Sequence, residues 1–242
     1  MRRLAGAAMR RLAGVRTRRF AAASVAALLA ACADHPPPPD WQVNAKGALD
    51  RAVVAYFAGD ARAEAQETAI ARDAVASTGQ PAIVARAELV RCAARTASLV
   101  LEPCAGYAAV APDAEPAERA YAAYLAGRAD AAEIAQLPPQ HRAVASARNA
   151  AEGDAALASI QEPLARLVGA AVLLQRGDAD ARVVARAVET ASAQGWRRPL
   201  LAWLGVQQRL AQQAGDTEAA ARVARRAALA AAPRVAPASA PP

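Results

Sequence analysis

The chain has 242 residues, 55% of them hydrophobic and nearly a third of them alanine, with aromatics at 4%. That length suits one ordinary helical domain or two small ones, the apolar content is too high for a disordered polar chain, and the wealth of Ala, Leu, Arg, Gln and Glu with few β-branched or aromatic runs excludes an all-β fold. The formal charge of +7 is local, because residues 1–31 hold Arg2, Arg3, Arg10, Arg11, Arg16, Arg18 and Arg19 and no acid, and from Cys32 onward bases and acids balance; without clustered positive charge there, nucleic acid is excluded as a partner.

The arginine-rich residues 1–19 lead into an apolar run of small residues from Phe20 to Ala31, then Cys32 and a polar stretch with Pro36–Pro39. A cationic segment, a short apolar segment and a small-residue cleavage site make an export signal. The apolar run spans about 18 Å as a helix, against a hydrocarbon core of roughly 30 Å, so it does not read as a permanent membrane span. Met1–Gly6 recurs as Met9–Gly14, and a start at Met9 would leave a shorter leader.

Leu29-Ala30-Ala31-Cys32 resembles the lipobox of bacterial lipoproteins. The resemblance covers the leader and Cys32 alone. It implies diacylglyceryl transfer to the Cys32 thiol, cleavage before Cys32 and acylation of the new amine. Several acyl chains turn a marginal anchor into a stable one. Ala33 after the cysteine implies delivery to the outer membrane, facing the periplasm. Residues 32–43 are then the acylated cysteine and a tether stiffened by polyproline II, 44–232 the folded domain, and 233–242 a disordered tail.

Within the domain, Asn44 is expected to cap a first helix running to Ala58, with Gly59-Asp60 as stop and next cap. Helices follow over Ala61–Thr78 and from Pro81 toward Leu99, the latter with Ile83, Ala87, Val90, Ala94 and Ala97 as its apolar stripe. Residues 102–115 read as a long loop. Further helices are expected from Pro116 to Gly127, over 130–136 and 140–151, from Pro163 to Gly177, over Ala181–Gln194, Pro199–Ala214 and Asp216–Ala232.

Gly-Asp recurs at 59–60, 153–154, 177–178 and 215–216, each time between two helical patterns, as in a helical hairpin. Gly215–Ala220 with Ala227 and Pro233 resembles the second helix of a tetratricopeptide repeat, and Gly59-Asp60 with Ala65 and Ala69 is a looser match. The breaks keep no fixed period. The expected fold is therefore all-α, an irregular stack of antiparallel helical hairpins, tetratricopeptide-like, without a sheet. The whole pattern also resembles proteobacterial lipoproteins of unassigned activity.

Cys92 and Cys104 remain once Cys32 is acylated, an even number in an oxidising envelope, and a disulfide between them is expected. A helix reaching Leu101 would leave Cys92 about 13 Å behind it, three extended residues reach about 10 Å, and the bond needs Cα atoms within about 7 Å. The helix should therefore end nearer Ser98. His141 sits at a helix start with no cysteine, histidine or paired carboxylate at metal spacing, so a packing role is expected and neither metal nor cofactor. The serines lack a nucleophile elbow and the glycines a phosphate loop. Glu88/Arg91/Arg95 and Glu218/Arg222 read as solvated helix faces. Trp196-Arg197-Arg198 joins two helices and is a candidate partner-binding patch; as surface charges its arginines would each contribute about 0–1 kcal/mol.

These features point to a non-enzymatic, lipid-anchored scaffold or docking protein of the outer membrane, with the membrane and another envelope protein as partners. The alternatives are an envelope enzyme or cell-wall-binding lipoprotein with a polar cleft at His141, and a carrier with a dry cavity of about 300 Å³ or more.

Overall fold

Glycine and proline punctuate the alanine-rich chain into helices. In a computed structural model, residues 37–232 are described. The leader, Cys32 and the tail 233–242 lie outside them. Twelve α-helices and no strand are found among the described residues: α1 (Asp40–Ala58), α2 (Ala61–Ala76), α3 (Pro81–Ala97), α4 (Ala105–Ala108), α5 (Pro116–Leu125), α6 (Ala131–Gln136), α7 (Pro139–Ser146), α8 (Ala150–Ser159), α9 (Pro163–Arg176), α10 (Ala181–Ala193), α11 (Arg197–Gln213) and α12 (Thr217–Ala231). The fold is all-α. None of these helices is long and apolar enough to cross a membrane.

The first helix begins at Asp40, four residues before Asn44, which is exposed within it. An acid in the first turn complements the positive helix N-terminus, and the tether is shorter than expected. The α1 ridge Ala45, Ala48, Ala52 and Ala55 is buried, and α1 packs along α2. Side chains this small let two axes approach closely.

Gly59 and Gly215 take positive φ, and the aspartates after them cap the next helix: Asp60 accepts from Ala63 N at 3.0 Å and Asp216 from Ala219 N at 2.8 Å. After Gly177, itself at positive φ, the cap is Asp180 instead of Asp178.

Gly153-Asp154 departs from this pattern. The expected 140–151 helix is in fact two, α7 and α8, separated at Ala147–Asn149. Asn149 caps α8 by accepting from Glu152 N at 3.0 Å. Gly153 lies inside α8, where a Cβ would come 2.7 Å from Leu173 Cδ1 of α9. Reciprocally, a Cβ on Gly169 of α9 would come 2.8 Å from Leu157 Cδ2 of α8. Each glycine is a notch that receives a leucine from the facing helix. Asp154 reaches Arg186 of α10 at 2.7 Å.

Helix α9 is central. Residues 167–173 are all buried, because α3, α5, α7, α8 and α10 surround it. The chain also closes on itself: α11 packs on α1, a contact the hairpin-stack expectation did not contain. Trp203 of α11 is fully buried and donates from Nε1 to Ala97 O at 3.0 Å, at the end of α3. Tyr56, Phe57 and Tyr124 are buried too, while Trp41, Tyr107, Tyr121 and Trp196 are half-buried.

Candidate functional site

A hollow lies where α3 ends. The helix stops at Ala97 with Ser98 as cap, and Leu99 then takes φ +58°, the only non-glycine residue at positive φ among those described. Leu99 N donates to Thr96 O at 2.9 Å and Val100 N to Arg95 O at 3.0 Å, the paired bonds of a Schellman turn. The chain therefore reverses at Leu99, and Cys104 returns to Cys92. The two form a disulfide with Cα atoms 5.9 Å apart. The expected loop 102–115 contains the short α4 and a 3₁₀ turn, Ala111–Asp113.

This reversal lays Gly106 over Glu88, leaving no room for a Cβ beside Glu88 Oε2. Glu88 is buried, which corrects its reading as part of a solvated face. Arg72 of α2 grips it with a fork, Nε to Oε1 at 2.5 Å and Nη2 to Oε2 at 3.1 Å, and Arg91 adds Nη1 to Oε2 at 2.9 Å. Burial alone would raise the Glu88 carboxyl; the two guanidinium groups outweigh it and hold the pKa below the usual carboxylate range. Glu218–Arg222, by contrast, is an exposed pair.

Around Glu88 opens a cleft of about 750 Å³. Arg72, Arg91, Arg95 and Arg128 line it, together with Tyr107 and the disulfide. Arg95 pairs with exposed Glu102 at 2.8 Å. The backbone N–H of exposed Arg128 donates to Ala123 O at 3.0 Å, while its side chain makes no hydrogen bond or ion pair with another described residue. Four guanidinium groups facing two carboxylates suit an anionic or strongly polar guest. Replacing both Cys92 and Cys104 with alanine is expected to lower unfolding free energy by about 2–3 kcal/mol in a urea melt. It should also speed amide exchange at residues 100–108, which the bond holds against α3.

The other predicted sites fall elsewhere. His141 is 2% exposed. Its ring lies 4.9 Å from that of Tyr124 and 5.5 Å from that of Tyr121, and Nδ1 is 3.2 Å from the Tyr124 hydroxyl. Burial pulls its pKa down to about 4, so the imidazole is neutral at pH 7. It lines none of the hollows described. No cluster of three or more His, Cys, Asp or Glu that could hold a metal exists among the described residues.

The Trp196-Arg197-Arg198 patch is turned into the fold. Trp196 packs at a tilt against Phe57, with centroids 4.5 Å apart. Arg197 donates from Nε to Ala230 O at 2.7 Å and from Nη2 to the carbonyls of Ala231 and Ala232, closing the end of α12. Arg198 donates from Nε to Tyr56 O at 2.8 Å, and its guanidinium sits 4.3 Å over the Tyr56 ring. Both guanidinium groups thus serve as helix C-caps instead of as free surface charges. Arg198→Ala should cost about 1–3 kcal/mol in a urea melt, and Arg198→Lys should recover part of it, since an ammonium lacks the planar fork.

The cleft escaped the sequence because Arg72, Arg91, Arg95 and Arg128 come from three separate segments. The usable signal was the cysteine pair, which folds 99–108 back over Glu88. No protein-family model, curated protein or solved structure matches the chain.

Proposed function

We propose that this chain is a lipid-anchored docking protein of the bacterial outer membrane, facing the periplasm and working without catalysis. It holds a segment of another envelope protein in the cleft between α2, α3 and α4. The observation that carries the reading is that cleft: about 750 Å³, lined by four arginines and braced by Cys92–Cys104. Residues 29–32, with their lipobox resemblance, and a cysteine pair suited to an oxidising compartment support the location. The burial of His141 between two tyrosines weighs against the enzyme alternative, which needs it in a polar cleft. The cleft's charge weighs against a carrier of apolar ligands.

Two measurements in cells test this. Cys32→Ser should abolish incorporation of labelled palmitate and leave an uncleaved precursor; wild-type protein that takes up no palmitate would end the anchoring claim. A photo-crosslinking residue at Ala108 or Ala126, both exposed on the cleft wall, should capture one partner that Ala158 on α8 does not. Equal capture at all three positions would end the docking claim.

A further inference from the structure

Charge balances from Cys32 onward only in total. From Cys32 to Trp196 twenty acidic side chains outnumber fifteen basic ones, and from Arg197 onward seven arginines face two acids, Asp216 and Glu218. Arg197 and Arg198 are bound to helix ends, and Asp216 caps the start of α12. The remaining surplus gathers on α12.

Helix α12 packs on α11. Ala220 is buried, and Val223 and Ala227 pack against the core, so these three positions set the inner face. The opposite face carries Glu218, Arg222, Arg225, Arg226 and Leu229, all exposed. Glu218 pairs with Arg222. The side chains of Arg225 and Arg226 make no hydrogen bond or ion pair with another described residue, and no acidic side chain follows Glu218. Leu229 is 80% exposed, more than any other large hydrophobic side chain among the described residues. It lies three residues after Arg226, four after Arg225 and seven after Arg222, so it ends a row of three guanidinium groups on one helix face.

A basic row ending in an exposed leucine suits a helix lying on an anionic bilayer. Guanidinium groups meet the lipid phosphates, their methylene stems lie along the acyl boundary, and the apolar side chain enters it. A peptide would need a groove to orient it, and this face is a single convex helix that does not border the cleft. A bilayer needs no groove.

We propose that α12 rests on anionic lipid of the membrane that holds the chain, with Arg222, Arg225 and Arg226 on the phosphates and Leu229 in the apolar boundary. The inference rests on the anchoring reading and names the face that the domain turns to the bilayer.

Residues 32–242 produced without the leader and with Cys32→Ser carry no acyl group, so vesicle sedimentation with this chain tests the helix apart from the anchor. At millimolar lipid it should sediment with vesicles of phosphatidylcholine containing a third of phosphatidylglycerol and not with phosphatidylcholine alone, and added salt should release it. Amide exchange on the anionic vesicles should slow in residues 222–231 and not in α8. Arg225→Gln with Arg226→Gln should weaken binding about tenfold or more, and Leu229→Ser about threefold or more, while the circular dichroism melt stays in place. Equal binding to both vesicles, binding to neither, or unchanged binding in either variant would overturn the proposal. A photo-crosslinking residue at exposed Ala228 that captures a partner protein or a second copy in cells, and no lipid, would replace the bilayer with that occupant. Wild-type protein that takes up no palmitate would end the anchoring claim and leave this surface standing, and failure of the vesicle test would do the reverse.

Discussion

Trp203→Ala is expected to destabilise the protein by about 3–5 kcal/mol, the cost of emptying a large buried site. Trp203 is fully buried, and its indole N–H satisfies Ala97 O, immediately before the turn that aims α4 at the cleft. Alanine-rich interiors bury little apolar area per residue, so one indole is a large share of this core. Native domains hold only about 5–15 kcal/mol in total, and this one loss should leave a visible unfolded fraction at growth temperature. Trp203→Phe keeps most of the buried area and drops the hydrogen bond, so it should cost less, about 1–2 kcal/mol. Urea melts followed by circular dichroism read both. A change under about 1 kcal/mol for Trp203→Ala would contradict the packing described.

His141 should make the protein acid-labile in a defined window. Its folded pKa is about 4 against an ordinary 6.5, because burial disfavours the charged ring. The folded state therefore keeps the imidazole neutral while the unfolded chain takes up a proton as pH falls below about 6.5. Stability is fully present above that pH and is lost progressively until the folded ring also protonates near pH 4. The total is about 3 kcal/mol. Loss from paired carboxylates such as Glu88 comes lower, in and below the ordinary carboxylate range, so the two windows separate. Melting temperatures should fall between pH 6.5 and 4, and His141→Gln should flatten that slope whatever it does to stability at pH 7. An equally steep slope in the variant would remove His141 as the cause.

Most helix boundaries were legible because they depend on local chemistry. Glycine stops, Asp and Asn caps and proline starts act within a few residues, and they located α2, α5, α6, α9, α10 and α12 closely. Gly153-Asp154 misled because the same dipeptide can end a helix or notch one, and only the facing Leu173 decides which. Leu99 was legible only through the disulfide: a leucine carries no left-handed signal, yet the short reach between Cys92 and Cys104 required α3 to end near Ser98, as it does. The stripe on α3 was half right. Ala87, Ala94 and Ala97 are buried while Ile83 and Val90 are half-buried, because α3 packs on α1, α2, α5 and α9 at once and one periodic face cannot describe it.

The site was less legible than the fold. Charge spacing on α3 gave Glu88, Arg91 and Arg95 as one solvated face, which holds only for residues with no chain laid over them. Gly106 and α4 cover Glu88 from a segment that reads as loop. The Trp196-Arg197-Arg198 patch departs in the opposite direction from its reading as free surface charge. Two arginines beside a tryptophan look like a surface for a partner, and here the carbonyls ending α1 and α12 are that partner. Long-range closure of α11 onto α1 has no local signature.

Hydrogen–deuterium exchange of the mature protein, alone and with the partner captured at Ala108, tests the cleft most directly. Protection on binding should concentrate around Arg72 and in residues 88–95 and 101–108, the walls of the arginine-lined cleft. Protection confined to α11 and α12, with those three segments exchanging as in the free protein, would contradict it.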